Sequence, residues 1–361
     1  MHDYSGRFLL FLERLEQQGL DGFLVIHPAN LAYLFNFRGS DGLALTLAGE
    51  ARLLVDSRYI EEASQQAVNC RAELCEGPLL AGLVRRLQAT TSLRIGFESH
   101  ALLQRDFSKL SAVPNTHWHP QVALVQELRQ LKSQSELDLM RENFERAHQA
   151  LGISLELLDP GWREIDFAGS LEFEMRRAGA DGFAFETIVA SGARASLPHG
   201  LPSEKIIGDA PLLIDFGLKR RGYCTDLTRM RAYQSEVAGV AKIVRDARQA
   251  AFECIRPGVS ASQVDAAARE HISRAGYGEF FGHSLGHGLG LEVHELPRIG
   301  PGQEALLESG MVFTLEPGIY LPGRFGVRIE DVVVVGEDAA GWLSDPEQNN
   351  IELNDAWNAG C

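Results

Sequence analysis

Two hydrophobic periods divide this chain. In RFLLFLERLEQQ, residues 7–18, apolar positions are broken by Arg7, Glu13 and Arg14, which predicts an amphipathic helix rather than a signal sequence. DGFLVI then predicts a strand, and Asn30 to Tyr33 opens another helix or turn. LALTLAG and ARLLVDSRY read as two strands joined by a Gly49-Glu50 turn, and LRIGFES at 93–99 adds a further strand. The pattern is that of an α/β domain.

Near residue 125 the pattern changes. ELRQLKSQSELDLMRENFERAHQALGISLELL predicts a long helical stretch, with Ser133 and Glu136 at capping-box spacing near its start. At 361 residues two domains are expected, and we place them at 1–127 and 128–361. The second contains two strand–turn–strand units, APLLIDFGLKRRGYCTDLTRMRA and GMVFTLEPGIYLPGRFGVRIEDVVVV. Helical sequence precedes each, at 162–178 and at 235–256 or 261–275. Two such halves facing one another would form a pseudo-twofold domain with its site at the centre.

Composition narrows the classes. The chain is 45% apolar and 23% charged, as soluble globular proteins are. Its longest apolar runs are strand-sized, short of a membrane span. A net charge of −15 argues against nucleic-acid or anionic-membrane partners. Five cysteines, Cys70, Cys75, Cys224, Cys254 and Cys361, form no CxxC and predict free thiols in a reducing compartment. The expectation is a cytoplasmic protein.

Against that background the acidic residues stand out. Asp215 in PLLIDFG and Asp226 in YCTDLTRM lie in strands apolar enough to be buried. With a turn centred on Arg220-Arg221 they face one another; with a turn centred on Gly323, so do Glu316 and Glu330. Any one of these carboxylates could be a surface charge. Two matched pairs among apolar residues need a cation, and hard divalent ions favour oxygen ligands.

Between the two units lies FFGHSLGHGLGLEVHELP, with His283, His287 and His294. His283 and His287 have the spacing of a helical metal pair, but glycines at 282, 286, 288 and 290 each cost a helix about 1 kcal/mol relative to alanine. No HExxH is present. In an irregular segment each histidine points elsewhere, so one can bind metal while others exchange protons with a substrate.

These motifs, with IDFG…CTDLTRM, TLEPGIY and VRIEDVV, resemble the signature of the Xaa-Pro peptidases, prolidase and aminopeptidase P, which share the pita-bread fold with methionine aminopeptidases and creatinase. NLAYLFNFRGSDG and LLVDSRYIEEA resemble the creatinase-type domain that precedes the catalytic one. The resemblance implies an α/β (α+β) chain whose catalytic domain holds two divalent ions on Asp215, Asp226, His287, Glu316 and Glu330. Asp215 would chelate one ion, Asp226 and Glu330 would bridge both, and His287 and Glu316 would complete the other shell. It further implies Glu316 as proton shuttle, His283 and His294 at the substrate and tetrahedral intermediate, His199 lining the pocket, Arg328 orienting the carboxylates and Arg298 near the substrate carboxylate. One imidazole among four carboxylates favours manganese or cobalt, with zinc possible. Short proline-containing peptides are the implied substrates and a homodimer the implied assembly. Xaa-Pro dipeptidase is preferred to aminopeptidase.

Two rivals remain. A methionine aminopeptidase would share the five ligands but typically lacks so large an N-terminal domain. A non-catalytic pita-bread binding module would lack part of the ligand set.

Overall fold

The computed structural model describes residues 3–87, 92–159, 161–231 and 235–348. The chain divides into two compact units, Met1–Arg129 and Gln130–Cys361.

In the first unit six strands form one mixed sheet in the order β4-β3-β2-β1-β5-β6. They are β1 (Gly22–Val25), β2 (Leu43–Leu47), β3 (Glu50–Val55), β4 (Arg71–Leu74), β5 (Leu93–Glu98) and β6 (Thr116–Gln121). Helices α1 (Tyr4–Gln17), α2 (Pro28–Phe35), α3 (Ile60–Gln66), α4 (Leu79–Leu87), α5 (Gln104–Leu110) and α6 (Leu124–Gln130) intervene. The β1–β5, β5–β6 and β3–β4 pairs are parallel, so helical crossovers are required; β2 joins its neighbours antiparallel. Leu24, Leu45, Leu54 and Ile95 on the sheet meet Leu83, Leu87 and Leu110 from the helices. Glu98, buried at the end of β5, accepts from the backbone N–H groups of Ile26 and His27 at 2.7 and 2.6 Å. It thereby supplies acceptors at the start of α2, where N–H groups lack intrahelical partners.

The turn between β2 and β3 is Ala48-Gly49, one residue earlier than the sequence pattern predicts, because both residues take positive φ. The long helix predicted from residue 127 is two helices, α6 and α7 (Gln134–Leu157), separated at Leu131–Ser133. Ser133 caps α7, its N–H donating to Glu136 Oε2 at 2.9 Å.

The second unit continues with α8 (Glu164–Arg177), β7 (Gly182–Phe183), β8 (Ile188–Ser191), β9 (Leu212–Phe216), β10 (Leu218–Arg220), β11 (Tyr223–Cys224) and β12 (Leu227–Arg231). Helices α9 (Ser235–Cys254) and α10 (Ala261–Arg274) follow and pack together. Then come β13 (Gly286–Gly288), β14 (Glu295–Ile299), β15 (Val312–Leu315), β16 (Gly318–Leu321), β17 (Phe325–Arg328), β18 (Asp331–Val335) and β19 (Ala340–Trp342). One half is the antiparallel sheet β12-β9-β8; the other is the five-stranded sheet β14-β13-β15-β18-β19 with the β16–β17 hairpin beside it. The core runs between them: Val244, Ala251, Val264 and Ile272 of α9 and α10 pack with Leu213, Phe313, Ile319 and Val327 from the strands. A β-bridge from Thr228 to Glu330 joins the halves, and the Cys224 N–H donates to the Gly290 carbonyl between them.

Candidate metal centre

The two hairpins differ in register. In the second, Leu315 pairs with Asp331 and Gly318 with Arg328. Glu316 and Glu330 lie between those pairs, opposite one another, as a turn centred on Gly323 requires. In the first, Asp215 pairs with Thr228 and Lys219 with Cys224. The expected Asp215–Asp226 opposition is therefore corrected: the turn is Arg221-Gly222, with φ of 50° and 88°, not Arg220-Arg221. Asp226 lies two residues before Asp215's partner. The bridge from Thr228 to Glu330 then brings this hairpin against the other, and Thr228 Oγ1 donates to Glu330 Oε2 at 2.7 Å.

The histidine segment is not helical. Gly286–Gly288 forms β13, between β14 and β15. The close approach explains the glycine: a Cβ on Gly286 would lie 1.9 Å from the Thr314 carbonyl oxygen. His287 is held from both sides, its N–H donating to Thr314 Oγ1 and its Nδ1 lying 3.1 Å from the Gly288 carbonyl. A proton on Nδ1 directed at that carbonyl leaves the Nε2 lone pair free, the arrangement common in imidazole ligands. Nε2 is 3.4 Å from Glu316 Oε1 and 3.6 Å from Asp226 Oδ2.

Asp226, His287 and Glu330 each offer a ligand atom, and these atoms all lie within 4.8 Å of one another. Asp215 is adjacent through Arg328, whose guanidinium donates to Asp215 Oδ2, Thr228 Oγ1, the Tyr320 hydroxyl and the Pro198 carbonyl. The other carboxylate oxygen, Asp215 Oδ1, is buried with no hydrogen-bond partner.

Burial, then the charges of Glu330, Asp215 and Glu316, push the Asp226 carboxyl well above its usual range; burial and Glu316 do the same to Glu330. Burial raises Glu316 to about 8 and lowers His287 to about 4. A lone cation, Arg328, faces three buried carboxylates and the half-buried Glu316 among these residues. Oxygen donors in excess, one orphaned carboxylate oxygen and one neutral imidazole suit divalent ions.

The remaining histidines surround this centre. His294 is exposed, its ring 4.3 Å from that of His287. His283 is half-buried, with Nδ1 2.8 Å from the Ser284 carbonyl and Nε2 3.1 Å from the Tyr320 hydroxyl. Exposed His199 lies close enough to interact electrostatically with Asp215, His283 and His294. Arg298 pairs across the strands with His287, and its side chain, exposed, reaches Ser284 Oγ. Cys224 is 2% exposed and packs by Leu291, and burial pushes its thiol up to about 12, so it stays a packing residue.

Sequence reasoning missed Thr228, Thr314 and Tyr320. Thr228 follows Asp226 by two residues and Thr314 precedes Glu316 by two. Strand alternation therefore put both on the ligand face, a readable signal. Tyr320 joins His283 to Arg328 across the β16–β17 hairpin, which no short spacing announces.

Comparison with known proteins places the chain in a family. Metallopeptidase family M24 matches residues 138–337, and the creatinase/prolidase N-terminal domain matches residues 7–131. An uncharacterized peptidase of Bacillus subtilis is 39% identical over 327 residues, spanning 89% of this chain and 93% of the relative. The solved Xaa-Pro dipeptidase from Bacillus anthracis superposes with a TM-score of 0.90 at 34% identity, covering 95% of this chain and 98% of its own. The X-Pro aminopeptidase from Thermotoga maritima gives 0.85 at 35% identity, covering 93% and 98%. The fold is thus the pita-bread architecture behind a creatinase-like domain, and the chain belongs to metallopeptidase family M24, whose members work with divalent metal ions.

Proposed function

We propose that this protein is a metal-dependent exopeptidase that hydrolyses the bond between an N-terminal residue and proline in dipeptides or short peptides. The observation that carries it is the convergence of Asp226, His287 and Glu330 within 4.8 Å, with Glu316 alongside. Asp215, Asp226, His287, Glu316 and Glu330 would hold two ions, manganese or cobalt in preference to zinc. Such ions, when bound, supply Lewis acidity that makes a water nucleophilic and polarises the scissile carbonyl.

The chain's own groups do the rest. Glu316 takes the proton of the attacking water at Oε1 and returns it to the leaving proline nitrogen. His294, exposed beside His287, binds the substrate near the carbonyl oxygen. His283 acts with Tyr320, whose hydroxyl it holds. His199 lines the pocket, Arg328 keeps the carboxylates oriented and Arg298 is available to a substrate carboxylate. A homodimeric, cytoplasmic enzyme completes the reading.

The test compares Ala-Pro with Ala-Pro-Ala on manganese-loaded protein. Cleavage of the dipeptide alone supports a dipeptidase, the preferred form. Cleavage of both supports an aminopeptidase. Cleavage of Met-Ala peptides and neither of these would refute the proline assignment.

A further inference from the structure

Residues 191–203 carry His199 in their middle, and one buried carboxylate gathers both ends of this segment. Glu164, the first residue of α8, has no exposed surface. Its Oε1 accepts from the N–H and hydroxyl of Ser191, at 2.7 and 2.8 Å. Its Oε2 accepts from Arg194 Nε at 3.0 Å and from the N–H and hydroxyl of Ser203, at 3.1 and 2.6 Å. Two backbone bonds seal the base: Glu164 N–H to the Lys205 carbonyl and Ile165 N–H to the Ser203 carbonyl. At the far end, Arg328 donates to the Pro198 carbonyl while also binding Asp215.

We propose that Glu164 is a positioning residue for substrate binding, a clasp that closes the 191–203 segment so that His199 faces the metal centre. The inference rests on the assignment of His199 to the substrate pocket.

All five donors to the carboxylate come from this one segment, two at its start, one within it and two at its end. A residue needed only for stability gains little from a buried charge, since apolar replacements of buried ionic groups are often as stable. A fully hydrogen-bonded buried anion instead specifies one arrangement. Placement at a helix N-terminus favours the anion as well. Burial raises the carboxyl's pKa, but the hydrogen bonds from Ser203 and Ser191 outweigh it, so Glu164 titrates below its usual range.

The physical consequence is a population effect. With the base opened, the segment spends only a fraction of its time in the binding geometry, and apparent affinity falls by that fraction. Asp226, His287, Glu316 and Glu330 all lie outside the 191–203 segment, so the chemical step is spared.

The experiment uses Glu164→Gln, which keeps the shape but sets an amide donor against the Arg194 and Ser203 donors, with Ser203→Ala as a milder second variant. On manganese-loaded protein and Ala-Pro, E164Q is expected to raise KM roughly tenfold with kcat within about threefold. S203A should shift KM in the same direction. Manganese affinity of the protein, measured by titration calorimetry, should not change. The double variant E164Q/H199A should match H199A in kcat/KM, because the clasp acts only through His199. In metal-free protein, hydrogen exchange of amides 192–203 should accelerate in E164Q while those of β9 and β12 do not.

Additive losses in the double variant would overturn the inference, as would unchanged exchange in 192–203 or a fall in kcat and manganese affinity at constant KM. An H199A enzyme with unaltered KM would overturn it while leaving Xaa-Pro hydrolysis standing. A wild-type protein inert toward Xaa-Pro bonds would refute the proposed activity, and the exchange measurement would still decide whether Glu164 is the clasp.

Discussion

Glu316 shows how one residue's surroundings assign its chemistry. Its Oε1 lies 3.4 Å from His287 Nε2, beside the groups proposed to hold the ions, which is where a proton shuttle for an ion-activated water has to stand. Glu316→Gln should lower kcat by about 10²-fold or more. The thermal midpoint of the metal-free protein should hardly move, because Gln keeps the volume and removes a buried charge. A variant with near-normal kcat would end the shuttle assignment. Gly286 is a residue of the opposite kind, chosen for what it lacks. Gly286→Ala sets a methyl against the Thr314 carbonyl, which is backbone and has little room to yield. We expect a loss of roughly 1–3 kcal/mol in urea-monitored stability, with weakened metal binding because His287 is the next residue.

Elements show where the sequence could be read and where it could not. Both misplaced turns, β2–β3 and β10–β11, miss by one residue for the same reason. Tight hairpins with two left-handed central residues put glycine second, so Ala48-Gly49 and Arg221-Gly222 are the turns. The shift in the first catalytic hairpin moves Asp226 off the position opposite Asp215. The Gly323 turn was read correctly, and with it the Glu316–Glu330 opposition. The types of the elements that were read, the glycine-broken histidine segment and the capping box at Ser133 were legible, because each depends on residues a few positions apart; α3, β4, α4, α5 and β6 were not read. The Thr228–Glu330 bridge and the Glu164 clasp were not, since they join residues separated by 102 positions and by up to 39.

Element junctions also yield a stability prediction. Lys132, just before α7, pairs at 2.8 Å with Glu295 on β14, both side chains almost wholly buried. Lys132→Met strips Glu295 of this ammonium and should cost about 3 kcal/mol. Adding Glu295→Leu should recover much of that loss, as chemical denaturation of the two variants would show.

For the whole molecule, pH and metal are the controlling variables. His148 on α7 is 1% exposed, and burial, aided by Arg229, lowers its pKa to about 4. Because that lies below its ordinary 6.5, the unfolded chain binds the extra proton first as pH falls. The contribution is therefore complete above pH 6.5 and is lost progressively between 6.5 and 4. Denaturation curves across this window should show His148→Leu losing less stability on acidification than the wild type, by about 3 kcal/mol. Chelation should abolish hydrolysis and lower the thermal midpoint. Manganese at 100 times its dissociation constant should return about 2.7 kcal/mol.

The bridge at Thr228 and Glu330 also imposes an order in time. A ribosome extending the chain at about 10 residues per second exposes the first hairpin roughly ten seconds before its partner across 102 residues. Through that interval Asp215 and Asp226 exist without the carboxylates and imidazole that would complete a chelating set. A nascent chain therefore has no finished trap for whichever ion is most abundant around it. On the proposed ligand set, ion capture would fall to the closed catalytic unit, where the selectivity of the folded pocket, rather than that of a loose acidic peptide, would decide which metal enters.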